Sequence, residues 1–183
     1  MGKNEIEKKY LISENGVDFV TEALLQLYPL VQALKDDVLR KGKQIKQGYL
    51  PLATGTELSD KLDMDVDFEP SEARLRNTRL PHKAGKFLFT LKGTGGLSRN
   101  ELEVEIEKAV FRNYWPGTAG HRVEKKRLKI PFEGHTAEID VYKERDLIIA
   151  EVEVTTIQDA EKLSALGKDV TLDKSYKNIN LAK

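Results

Sequence analysis

The chain has 183 residues, enough for one domain, 1–183, with a sizeable core. Its 30 Lys and Arg balance 30 Asp and Glu, which excludes nucleic-acid binding driven by overall positive charge. With 33% charged and 39% hydrophobic residues it reads as a soluble globular protein, and the lack of cysteine excludes disulfides and thiolate metal sites. The start "MGKNEIEKKY" has no apolar leader core, Ile6 stands where a myristoylation signal needs Ser or Thr, and no window approaches a membrane span, so a cytoplasmic protein is expected.

The first strand-like stretch is "EIEKKYLI", in which Glu5, Glu7 and Lys9 share one face. Val17, Val20, Leu24, Leu27, Val31, Leu34 and Val38 then recur at spacings of three and four, which predicts an amphipathic helix. Asn15 or Asp18 starts it, Gly42 ends it, and Pro29 kinks or splits it. "KQIKQGYLPL" is a strand, and the acidic run "ATGTELSDKLDMDVDFEPSE" reads as a loop or extended hairpin. Six strands follow: "EARLRNTRL", "KFLFTLKG", "RNELEVEIE", "EKKRLKIPF", "TAEIDVYKE" and "LIIAEVEVTT". A helical patch over 106–114 stops before Trp115-Pro116-Gly117, and two short helices broken near Gly167 finish the chain. The fold class is α+β, with a mostly antiparallel sheet of eight strands.

Charge alternates along these strands and is sorted by sign. Arg74 and Arg76, then Lys125, Arg127 and Lys129, mark basic strands, and Lys92 closes "FLFTLKG". Glu101 and Glu103, Glu138 and Asp140, and Glu151 and Glu153 mark acidic ones, with apolar residues such as Leu75, Val104, Ile139 and Val152 between. A half-solvated antiparallel sheet also alternates, but a wet face mixes in Thr, Ser, Gln and Asn, and these positions are almost all charged. If the sheet curls into a closed barrel, the charges meet in one lumen with a basic and an acidic wall. Lys and Arg hold phosphate oxygens, and carboxylates hold Mg²⁺ or Mn²⁺, so a metal-bound chain of phosphates satisfies both walls.

Here the sequence resembles the CYTH superfamily, the triphosphate tunnel metalloenzymes. "EIEKKYLI" matches the family's ExExK signature, and "IKQGYL", "EARLR", "FTLKGTGGLSRNELEVEI", "KKRLKIPFEGHTAEIDVY", "AEVEV" and "VTLDKSYKNINLA" follow in family order. The resemblance implies an eight-stranded antiparallel β-barrel, a triphosphate tunnel open at both ends, with helices packed outside. It implies Mg²⁺ or Mn²⁺ at Glu5, Glu7, Glu103, Asp140, Glu151 and Glu153. Phosphates would be held by Lys9, Arg74, Arg76, Lys92, Lys125 and Arg127, with Arg99 on the same strand as Glu101 and Glu103. Lys9 or Lys92 would serve catalysis as a base only if crowding by cations lowered its pKa. The segment from Gly48 to Arg74 departs from the family pattern, and either lengthens a hairpin or covers a tunnel mouth.

His82, His121 and His135 fall in or beside turns without metal-ligand spacing. "GTGG", 93–96, lacks the Lys-Ser/Thr of a P-loop and reads as a hairpin turn. Trp115 reads as a packing anchor, and Tyr176 and Asn178 place the last helix either at the tunnel or in the core. The resulting expectation is metal-dependent hydrolysis of a small-molecule triphosphate: inorganic triphosphate, thiamine triphosphate or ATP. A class IV-type adenylate cyclase and a non-catalytic nucleotide or polyphosphate sensor stand as alternatives. No membrane or nucleic-acid partner is expected, and a homodimer stays open.

Overall fold

Strands of strictly alternating character can bury only one face against helices, so the other must be solvated or wrapped inward. This chain wraps it inward. The computed structural model describes residues 3–95 and 97–183, with side chains from Ile6 onward. Ten strands form in chain order: β1 (Lys3–Glu14), β2 (Val17–Asp18), β3 (Lys43–Leu50), β4 (Pro70–Arg79), β5 (Lys86–Gly93), β6 (Ser98–Glu105), β7 (Arg122–Phe132), β8 (His135–Tyr142), β9 (Leu147–Val154) and β10 (Lys168–Asp169). Eight of them hydrogen-bond in the order β1-β6-β5-β4-β3-β7-β8-β9, and β9 returns to β1, closing an antiparallel barrel without free edges. The two-residue strands β2 and β10 only pair with β1.

Helices α1 (Glu22–Leu27), α2 (Val31–Lys41), α3 (Leu52–Lys61), α4 (Lys108–Tyr114), α5 (Ile157–Lys162) and α6 (Asn178–Leu181) cover the barrel. Leu24, Leu34 and Val38 from α1 and α2, and Ala160 from α5, pack on the outward residues of β7, β8, β9 and β1, including Ile139, Ala150 and Val152. A second core sets α3 and α4 on β4 and β5 through Leu58, Phe111, Leu75, Phe89 and Leu91. Trp115 anchors it by stacking on Phe111 at 4.9 Å, with the Arg122 guanidinium 4.5 Å above its ring. None of the described helices is long and apolar enough to cross a membrane.

Several local expectations change. The helical run breaks around Pro29 into α1 and α2, one of the two outcomes expected there, but Val17 lies in β2 and not in the helix. Asn15 and Gly16, both at positive φ (50° and 79°), form a tight hairpin turn instead of a helix start. The acidic segment after Gly48 is neither a hairpin extension nor a mouth cover. It forms α3 on the outside of the barrel, and Leu62, Met64, Val66 and Phe68 pack into the second core. After Gly167 the chain forms β10, a 3₁₀ turn at Lys174–Tyr176 and the four-residue α6, rather than one second helix.

Gly55 explains how closely α3 sits. A Cβ built there would lie 2.2 Å from the Ala73 Cβ, so the helix rests almost directly on β4. Gly55→Ala improves helix propensity by about 1 kcal/mol, yet it overpacks this contact at a cost of about 1–3 kcal/mol. The expected result is a lower melting temperature, and an equal or higher one in thermal denaturation would show that α3 can lift without loss.

Candidate active site

Ring order turns the sign-sorted strands into two walls. The basic strands β5, β4, β3 and β7 are contiguous, and so are the acidic strands β8, β9, β1 and β6. Their inward side chains line a cavity of about 570 Å³. Among the predicted site residues, Glu7, Arg74, Arg76, Lys92, Glu103, Lys125, Arg127, Glu151 and Glu153 all line it. Lys9 sits at a narrow adjoining chamber of about 30 Å³, which also touches Glu7, Arg74 and Arg99. Asp140 is fully buried behind Lys125 and Arg127. The Glu5 backbone pairs with Arg99 across β1 and β6, and its side chain lies outside the described residues. Gly96, the last residue of "GTGG", does too; the rest of that stretch links β5 to β6 as the hairpin expected.

Opposite charges across the lumen engage each other. Arg127 donates from Nε to Asp140 at 2.6 Å, from Nη2 to Glu151 at 2.5 Å, and from Nη1 to Glu138. Lys9 Nζ lies 2.9 Å from Glu151 and 3.5 Å from Glu7. Glu103 accepts from Arg76, from Arg74 at 3.3 Å and from Thr90 at 2.8 Å. Lys92 pairs with Glu101. Burial alone would raise the Glu151 pKa, but Lys9, Lys125 and Arg127 hold it well below the usual 4.5. Glu103 is lowered in the same way, with Arg76 and Arg74 outweighing burial.

Two guanidinium groups of the basic wall keep a nitrogen unused. Among the described residues Arg74 Nε and Arg76 Nε are buried without a hydrogen-bond partner, which an enclosed guanidinium tolerates poorly unless a ligand supplies oxygen. Burial, with Arg74 alongside, pushes Arg76 down to about 10, so it stays charged at neutral pH but is short of negative charge. Lys9 runs the other way: burial opposes its charge, and Glu151 and Glu7 outweigh burial and raise its pKa. The lowered value that a base role for Lys9 needs is not what its surroundings produce. At Lys125 burial dominates and lowers the pKa, with Asp140 opposing.

Two pairs of carboxylates face each other across neighbouring strands: Glu7 opposite Glu153, and Glu138 opposite Glu151. Directly opposed like charges destabilise a sheet unless a cation lies between them, and hard oxygen donors suit Mg²⁺ or Mn²⁺. Glu7 and Glu153 fit such an ion by donor type, and Glu5 continues the same face of β1. Among the described residues no group of three or more His, Asp or Glu is already gathered as a metal cage. Glu103 and Asp140 stand apart from this pair, each held by cations.

The tunnel is not open at both ends. Toward one end the inward positions become apolar: Leu11, Val123, Tyr142 and Ile149. The C-terminal segment covers them with Val170, Leu181 and the half-buried Tyr176. It is tied down by Val170 N–H donating to Lys9 O at 2.9 Å and by Lys183 N–H donating to Arg122 O at 2.9 Å. Asn178 reaches the lumen, where its Oδ1 accepts from Lys125 Nζ at 3.1 Å and from Tyr142 OH at 2.7 Å. The C-terminal pair therefore splits, with Asn178 at the tunnel and Tyr176 in the packing. Sequence reasoning missed Lys43 and Gln47, whose inward direction only the register of β3 reveals.

No family model matches the chain. An inorganic triphosphatase of Acetivibrio thermocellus is 31% identical over 188 aligned residues, covering 100% of this chain and 95% of the relative. The chain belongs to the CYTH superfamily. An inorganic triphosphatase of Nitrosomonas europaea is 40% identical over 111 residues, 57% of this CYTH chain and 73% of the relative. The crystal structure of the inorganic triphosphatase NE1496 superposes with a TM-score of 0.54 at 27% identity, over 97% of this chain and 93% of the other.

Proposed function

We propose that this CYTH protein hydrolyses inorganic triphosphate in its barrel, with Mg²⁺ or Mn²⁺ as cofactor. The observation that carries the reading is the basic wall, where the Nε–H groups of buried Arg74 and Arg76 have no partner among the described residues. A phosphate chain supplies oxygens to those groups, and the naming of both curated relatives as inorganic triphosphatases agrees. Arg74, Arg76, Lys92, Lys125, Arg127 and Lys9 hold the phosphates and neutralise charge that grows on them as the terminal P–O bond breaks. When bound, the divalent ion at Glu7, Glu153 and Glu5 supplies Lewis-acid charge to phosphate oxygens and to the attacking water. Lys9 and Lys92 serve catalysis as cations on the transferring phosphoryl group, Lys9 being held protonated by Glu151 and Glu7. Glu151, Asp140 and Glu103 position these cations through their ion pairs.

A cyclase would need a surface for the purine. The described residues lining the wide cavity include no aromatic side chain, and its apolar members are Ile45, Leu88 and Leu102. The deciding experiment incubates purified protein with Mg²⁺ or Mn²⁺ and inorganic triphosphate, thiamine triphosphate or ATP in parallel. Phosphate release fastest from inorganic triphosphate is expected, whereas cyclic AMP with pyrophosphate from ATP would replace the reading with a cyclase.

A further inference from the structure

The open mouth carries a cation that the ion-pair network does not use. Lys43, the first residue of β3, is directly opposite Arg127 in the β3–β7 ladder and lines the wide cavity together with Arg76, Lys86 and Lys129. Lys129 is paired with Glu138 at 2.7 Å and Lys86 with Glu105 at 2.9 Å. Arg127 is saturated by its three carboxylates. Lys43 is half-buried, and no described residue offers it a hydrogen bond or an ion pair. Burial foremost, then the neighbouring cations Lys129, Arg76 and Arg127, depress its pKa, and Glu138 only partly opposes them. A half-buried ammonium kept among cations without a partner is costly unless an anion occupies the space before it.

The closed end fixes which part of a substrate arrives there. With Leu11, Val123, Tyr142 and Ile149 covered by the C-terminal segment and the adjoining chamber only about 30 Å³, the room for an organic group on a triphosphate ester lies toward the wide mouth. An unsubstituted chain brings its own terminal phosphate to that place, with one more ionisable oxygen and no bulk. We propose that Lys43 binds this outermost, unesterified phosphate and thereby selects inorganic triphosphate over triphosphate esters. The inference rests on the triphosphatase reading above and adds a specificity residue to it.

The test measures phosphate release from inorganic triphosphate by wild type, Lys43→Met and Lys43→Arg, with ATP as a competitor in each. Loss of one charge-assisted contact predicts a KM for inorganic triphosphate raised about tenfold in Lys43→Met, with kcat little changed. The inhibition constant of ATP moves much less, and Lys43→Arg stays near wild type. The melting temperature of ligand-free Lys43→Met equals or exceeds that of wild type, because an unpartnered charge is removed. An unchanged KM for inorganic triphosphate, or an equal loss for inorganic triphosphate and ATP, overturns the proposal. Should wild type leave inorganic triphosphate intact, the hydrolase reading fails by itself. Calorimetric titration of inorganic triphosphate into wild type and Lys43→Met then decides the Lys43 claim, and equal affinities refute it.

Discussion

Arg127→Met is expected to be the most destabilising lumen substitution, lowering stability by about 3–5 kcal/mol at neutral pH. Among the described residues Arg127 alone joins Asp140, Glu151 and Glu138, and the first two are almost wholly enclosed, with side chains 0% and 6% exposed. Methionine matches much of the volume but leaves those carboxylates with only Lys125, Lys9 and Lys129 for compensation. For a chain of this size the loss corresponds to a fall of roughly 10 °C in melting temperature. Activity falls with it, because Arg127 is also placed among the phosphate ligands.

The pH dependence separates lost charge compensation from lost packing. In wild type Glu151 is held well below 4.5, so its contribution is complete above 4.5 and is lost as pH falls through the folded-state value. Glu138 is lowered too, with Arg127 the foremost charge opposing burial. Without Arg127 both folded-state values rise toward the unfolded ones, and less stability remains to be lost in acid. The gap between wild type and Arg127→Met is therefore widest near neutrality and narrows below 4.5. Melting curves across that range check this, and a gap that does not change with pH would assign the effect to packing.

Most of the barrel was legible because its strands carry the period-two signal twice, once in hydropathy and once in sign. All eight barrel strands coincide with the expected strand stretches, six of them alternating, and the signs anticipate contiguous walls that ring order then produces. The closed end was not anticipated, since the family resemblance implied a tunnel open at both ends, yet the alternation carries its trace. On β1 the inward series runs Glu7, Lys9, Leu11, and on β7 it runs Arg127, Lys125, Val123, so charge gives way to apolar residues at one end. What covers them comes from 170–181, a tertiary contact that no local period encodes. The α3 helix was hidden by its own solution: Gly55 lowers helix propensity, yet nothing larger fits against Ala73. Lys43 was hidden because β3 carries Lys43, Gln44, Lys46 and Gln47 on both faces, and only pairing register says which pair looks inward.

The metal assignment makes the sharper functional prediction, with an effect on stability opposite in sign to that of Arg127. Glu7 and Glu153 are directly opposed on β1 and β9, so they repel across the ladder, and Lys9, 3.5 Å from Glu7, offsets only part of that repulsion. Glu7→Gln or Glu153→Gln removes that repulsion, and Lys9 keeps its 2.9 Å partner Glu151 in either variant. Metal-free variants should therefore melt at or slightly above the wild-type temperature. Wild type gains stability when Mg²⁺ or Mn²⁺ is added, by mass action on the folded state, and both variants lose most of that gain. Activity with inorganic triphosphate drops about a hundredfold or more, since several kcal/mol of charge stabilisation depends on the ion. Thermal shift against metal concentration reads the site even if neither substrate nor activity is known. A wild-type response to metal and normal turnover in both variants would remove Glu7 and Glu153 from the metal site, leaving their opposed charges to be balanced by the basic wall across the lumen.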